Sequence, residues 1–225
     1  MAATKIEASN IAAGAVASTG FTSVQVFTAA ATWTRPTDIT KVIVEVQGGG
    51  GSSGSGATGW MYGASGGSGG YVKKFISVSS VANAVLLVGA GGVKNAGTSA
   101  GNSSWIDTAH GGSSTLTGGA GANGTNGAAP STRGVGGLGG TATGGDLNIP
   151  GSSGCWGGNT DRGLKVGSYL STGGEGDVLK RTTNDYGAAT VGGSYGGGAG
   201  AGGGNDATVD GADGGVGVVV VWEFK

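Results

Sequence analysis

The chain has little of what usually cross-links a protein or supplies its chemistry. Its single cysteine, Cys155, cannot close an internal disulfide or build a Cys-rich metal site, and its single histidine, His110, excludes a multi-histidine zinc centre. Lys and Arg never run beyond the pairs Lys73-Lys74 and Lys180-Arg181, and the net charge is −1. There is thus no basic field to neutralise a phosphate backbone, and no nucleic-acid partner is expected. The longest strongly apolar runs, Ala84 to Val88 and Val218 to Trp222, are far too short to cross a bilayer, so no membrane insertion is expected. The opening MAATKIEASNIAAGAVASTG lacks a strongly apolar core, so no secretion signal is expected either.

What the chain has in excess is glycine, 56 residues of 225. Each loses roughly 0.5 to 1 kcal/mol more backbone freedom on folding than Ala, an ordering cost that something must offset. Disorder would account for the composition, but 37% of residues are hydrophobic and only 11% charged, the reverse of a disordered chain. Glycine often recurs every third residue: at 48, 51, 54; 63, 66, 69; 118, 121, 124, 127; 134, 137, 140; and 211, 214, 217. That is the period of an extended three-residue helix, and three prolines are too few for collagen. Such helices have no internal hydrogen bonds, so buried ones must bond to their neighbours, which glycine permits by keeping side chains out of the way.

Alternating apolar residues place strands at Ser23 to Phe27, around Trp33, at Thr40 to Gln47, Tyr71 to Val78 and Ala84 to Val88, and a closing strand from Val216 to Phe224. Val218 to Val221 is apolar on both faces and is expected to be a central buried strand paired with Lys41 to Gln47. The expected fold is mainly β and irregular, with short antiparallel strands at both ends bracketing a packed polyglycine-helix interior and essentially no α-helix beyond a short N-terminal one. Residues 1–20 read as an attachment arm and 21–225 as one glycine-rich domain. Between Thr160 and Tyr186 glycine thins out, and Asp161, Arg162, Lys165, Glu175, Asp177, Lys180, Arg181 and Asp185 crowd in, which marks a surface excursion.

Catalytic and metal motifs are weak. Gly-x-Ser-x-Gly occurs at 50–54, 63–67, 66–70, 97–101 and 192–196, as composition alone predicts, without the strand-to-helix context or base of a nucleophile elbow. No Gly-Lys pair exists for a Walker loop. Gly173 to Asp177 only approximates a calcium repeat and does not recur, while Asp206, Asp210 and Asp213 read as solvated carboxylates. No catalytic residue, metal or cofactor is expected. Aromatic side chains suit recognition better: Trp60 and Tyr62 flank Met61, Trp156 follows Cys155, and Tyr169, Tyr186 and Tyr195 accompany the charged excursion. Trp33, Trp105 and Trp222 read instead as cover for the scaffold.

Five segments, Thr32 to Pro36, Lys41 to Gly51, Val85 to Gly92, Gly145 to Gly151 and Gly214 to Glu223, fall in the order seen in glycine-rich bacteriophage tail-fibre proteins, which the chain resembles over roughly 21–225. The resemblance extends to the fibre-tip adhesins of T-even phages. It implies a non-enzymatic virion protein, assembled in the host cytoplasm, in which packed polyglycine helices hold loops against a polysaccharide or outer-membrane protein of the bacterial surface. The N-terminal arm would join other tail or fibre proteins, and a homotrimer is one arrangement this class allows. Trp60, Met61, Tyr62, Trp156, Arg162, Lys165, Tyr169 and Tyr186 are then the candidate receptor contacts. The rival reading is a purely structural tail or capsid decoration protein; an extracellular structural or ice-binding protein is disfavoured by the absent signal and the charged excursion.

Overall fold

A computed structural model describes residues 20–56, 61–96, 98–107, 114–127, 133–157, 167–171, 189–204 and 209–225. The described residues contain no helix. Among the described residues twelve strands run in chain order: β1 (Phe21–Phe27), β2 (Ala31–Thr34), β3 (Lys41–Gln47), β4 (Met61–Tyr62), β5 (Tyr71–Ser77), β6 (Asn83–Leu87), β7 (Ser103–Asp107), β8 (Ser114–Gly118), β9 (Ala142–Thr143), β10 (Leu147–Ile149), β11 (Gly203–Gly204) and β12 (Val218–Phe224). One antiparallel sheet has the order β1-β12-β3-β5-β10 and a second β2-β6-β7-β8-β9, while β4 and β11 form a short ribbon.

The two large sheets face each other across a conventional apolar core. Alternation sends Val42, Val44 and Val46 of β3, Val72 and Ile76 of β5, and Val219 and Val221 of β12 inward. There they meet Trp33, Ala84, Leu86, Trp105 and Leu116 of the second sheet. The rings of Trp33 and Trp105 lie 5.2 Å apart at the centre, both fully buried. The closing strand lies inside the sheet, between β1 and β3, and pairs with β3 as the sequence predicts, in the register Val221↔Val44. Its second face differs from expectation: Val218 is covered there at 1% exposure, where Tyr169 and Gly196 lie over the neighbouring Tyr71 and Gln47, but Val220 is only half-buried and Trp222 reaches 36%.

Beyond the sheets the strands continue as glycine segments. The partnership of β3 with β5 carries on past Gln47, but in steps of three: Gly48, Gly51 and Gly54 donate N–H to Gly70 (2.9 Å), Gly67 (2.8 Å) and Ala64 (2.9 Å). From the same stretch Gly50, Ser53 and Gly56 donate to Gly215, Ala212 and Val209, while the carbonyls of Gly49, Ser52 and Ser55 accept from Gly121, Gly124 and Gly127. Three successive residues thus bond in three directions, as a three-residue helix requires. The segment 63–70 lies innermost and bonds to 48–56, 119–127, 133–141, 151–157 and 189–202 around it.

Close approach explains the glycines. A Cβ on Gly51 would stand 2.0 Å from the carbonyl oxygen of Ala122, and one on Gly66 would stand 2.1 Å from that of Gly51. Both separations are far inside any real contact with backbone, which cannot swing away. Where carbonyl partners run out, side chains complete the lattice. Ser65 and Ser68 hydroxyls accept from the N–H of Cys155 (2.6 Å) and Ser152 (2.8 Å), and the Asn123 and Asn126 side chains accept from Ser52 and Ser55. The serines of three Gly-x-Ser-x-Gly motifs, Ser52, Ser65 and Ser68, are therefore buried parts of the scaffold.

Candidate receptor-binding surface

The glycine segments 48–56, 119–127 and 151–157 lead away from the sheets, and 63–70, 133–141 and 209–217 return to them. The end farthest from the sheets is marked by the Gly56–Val209 bridge, the β4–β11 ribbon, the Gly127 N–H to Ser55 bond and the Gly157 N–H to Gly134 bond. Trp156 stands beside this end, opposite Val135 in the antiparallel 134–157 pairing, and Leu138 lies one three-residue period farther along, opposite Ser153. All three are open to solvent, at 70%, 50% and 72%. Gly136 and Gly139, the residues that follow each of the two aliphatics in sequence, point at the carbonyls of Gly154 and Gly151, so Val135 and Leu138 are turned outward by the three-residue period. Met61 and Tyr62, the candidate aromatic turn, form β4 at this same end, paired with Gly204 and Gly203.

Tyr169 belongs to a different place. It sits in a turn closed by the Ser168–Ser171 bridge, and its ring lies 4.2 Å from that of Tyr71 at the start of β5. Cys155 is level with Ser65 and Tyr169 with Tyr71, a separation of about 20 Å at ~3.1 Å per residue. The structure therefore divides the candidates: Met61, Tyr62 and Trp156 gather at the far end, whereas Tyr169 stands where the glycine segments meet the sheets. Trp60, Arg162, Lys165 and Tyr186 lie outside the described residues.

Around Tyr169 the chemistry is that of a half-covered polar cluster. Tyr71 is buried, and burial pushes its phenol well above the usual tyrosine range, helped by the neighbouring Glu45 carboxylate, by Tyr169 and by a hydrogen bond to Glu45. Lys73 pairs with Glu45 at 3.0 Å. Tyr169 itself is 60% exposed and presents one face to solvent. Ser168 donates its hydroxyl to the carbonyl of Tyr195, a residue held at a φ of 66°, and Gly196 follows at 84°, packed on Gln47 and the carbonyl of Gly48. Two consecutive left-handed residues make the sharp bend on which this turn rests.

Sequence reasoning missed Val135 and Leu138. Their signal was present in Gly134-Val135-Gly136-Gly137-Leu138-Gly139-Gly140, where two isolated bulky residues recur at the helical period and must share an outward face. Among the described residues no group of His, Cys, Asp or Glu has the arrangement of a metal site.

The glycine-rich domain family matches residues 23–222, and the chain belongs to that family. No curated protein matches it. The matched span takes in every glycine segment and all of the strands except the outermost two residues of β1 and of β12.

Proposed function

We propose that this protein is a bacteriophage tail-fibre or fibre-tip protein that attaches the virion to a bacterial surface receptor, without enzymatic activity. The observation that carries the reading is the exposed Trp156, Leu138 and Val135 on a lattice held by backbone bonds. Side chains presented from such a support lose little entropy when they bind, and several copies on one virion add avidity. Trp and neighbouring aliphatic groups suit the apolar face of a sugar or an outer-membrane loop. The finer reading rests on the motif order shared with tail-fibre proteins, since family membership supports only a glycine-rich domain.

The test is saturable binding of the labelled protein to intact cells across a panel of bacterial strains. Trp156→Ala is expected to lower affinity by roughly 30-fold, the loss of about 2 kcal/mol typical of an aromatic anchor. Val85→Ala, on an exposed face of the second sheet, should leave it unchanged. Equal binding by both variants, or binding to no strain, overturns the receptor role and favours a structural virion component.

A further inference from the structure

Away from the end that Tyr169 and Gly196 cover, the outer face of the first sheet carries an apolar surface that has no partner among the described residues. Registers place side chains across it in rows: Val24, Trp222, Ile43 and Phe75; then Val26, Val220, Glu45, Lys73 and Leu147; with Phe21 against Phe224 at one end. Phe21, Val24, Val26, Phe75, Leu147 and Trp222 are 36–59% exposed. Phe21 packs against Trp222 and Phe224, with ring centres 6.0 and 6.1 Å away, so the aromatic end is a formed surface and not a scatter of separate side chains. With aromatic side chains of ~150–250 Å² each, the patch offers on the order of 500 Å² of apolar area. That is near the upper limit for a monomer surface and a large part of the ~800 Å² that each partner buries in a standard interface.

Two further features say what covers it. Inside the patch the charges are Glu45 and Lys73, which neutralise each other at 3.0 Å, with Lys41 only at the rim. A neutral apolar face complements a copy of itself better than a strongly charged partner. Its border is β1, a seven-residue edge strand, Phe-Thr-Ser-Val-Gln-Val-Phe, with neither a charge nor a proline. Proteins ordinarily guard such an edge with charge, proline or brevity, as the opposite edge is guarded here by the three-residue β10 beside Asp146.

We propose that this face and the β1 edge form an interface between copies of this chain. The inference does not depend on the receptor-binding role. Sedimentation of the full chain at micromolar concentration should give a mass that is a multiple of 21.1 kDa. Val26→Lys, on the edge strand, and Phe75→Lys, on the far side of the face with the edge intact, should each weaken self-association by 100-fold or more. Because both positions are solvent-exposed, circular dichroism and melting of the dissociated variants should match the parent. A parent that sediments as a 21.1 kDa monomer overturns the proposal and assigns the face to another occupant, including the chain's own residues 1–19. Variants that fold and keep the parent's mass overturn it as well.

Discussion

The indole N–H of Trp33 donates to a carboxylate oxygen of Glu223 at 2.8 Å, a bond that ties the second sheet to β12 of the first. Glu223 is 1% exposed and also accepts from the Gln25 amide at 2.7 Å and from the Ser23 hydroxyl. Three donors converge on one carboxylate, so the charge is satisfied by hydrogen bonds. Glu223→Ala would leave the buried Trp33 donor without an acceptor, at about 1–3 kcal/mol, and would also remove the partner of the half-buried Gln25 amide. We expect chemical denaturation to show a loss of several kcal/mol, with Glu223→Gln intermediate because one acceptor oxygen remains. A parent-like denaturation midpoint for the alanine variant would contradict the bridge.

The glycine lattice makes a paired prediction. Gly51→Ala and Gly66→Ala force a Cβ into backbone carbonyls, whereas Gly20→Ala meets nothing within 4 Å. Overpacking costs typically ~1–3 kcal/mol even where side chains can shift, and here the neighbour is backbone. The first two variants should melt well below the parent, and the third should match it. In the parent, amides of Gly121, Gly124 and Gly127 should exchange slowly despite a linker-like sequence, since each donates to a carbonyl of the 48–56 segment. Exchange at random-coil rates would remove the lattice.

Tyr71 predicts an alkaline limit. Its phenol ionises at a higher pH in the folded chain than in the unfolded one, first because of burial and then because of Glu45. The unfolded state therefore loses this proton first, and its contribution to stability is full below about pH 10 and falls as pH rises above that value. Denaturation midpoints should decline over that range, and Tyr71→Phe should flatten the decline. An unchanged slope in the phenylalanine variant would show that other groups govern alkaline stability.

The closing strand separates two neighbouring valines. Val221 faces the core and is fully buried beside Val44, whereas Val220 lies on the half-covered outer face between Val26 and Glu45. Val221→Asp should abolish soluble folding, because an unpaired carboxylate in that core costs several kcal/mol. Val220→Asp, expected from sequence alone to be equally damaging, should fold with a reduced melting temperature. Equal yields for the two variants would be inconsistent with this division.

Legibility followed the side-chain signal. Strands β1, β3, β5, β6 and β12 alternate several apolar residues and could be read directly, and the three-residue glycine period foretold a lattice whose partners only the fold reveals. Strands β7 and β8 escaped because their inward positions are filled by Ser103, Trp105 and Asp107 and by Leu116, leaving a single large apolar side chain in each. Two of the second sheet's five strands were invisible for that reason. The candidate surface was legible as residue types and not as a place, since Trp156 and Tyr169 are close in sequence yet sit at different levels of the lattice, set by bonds to Ser65 and by contact with Tyr71.

The pairing of β1 with β12 sets Gly20 beside Lys225, whose N–H donates to the Gly20 carbonyl at 3.2 Å, at the end of the sheets remote from Trp156. A pull between these two ends of the molecule would act along the glycine segments. Such a load shears many short bonds at once, where a load across the segments would peel them one at a time. The bonded directions around 63–70 spread that tension over five neighbours, so mechanical resistance would come from the main chain itself and be largely indifferent to which side chains the far end displays.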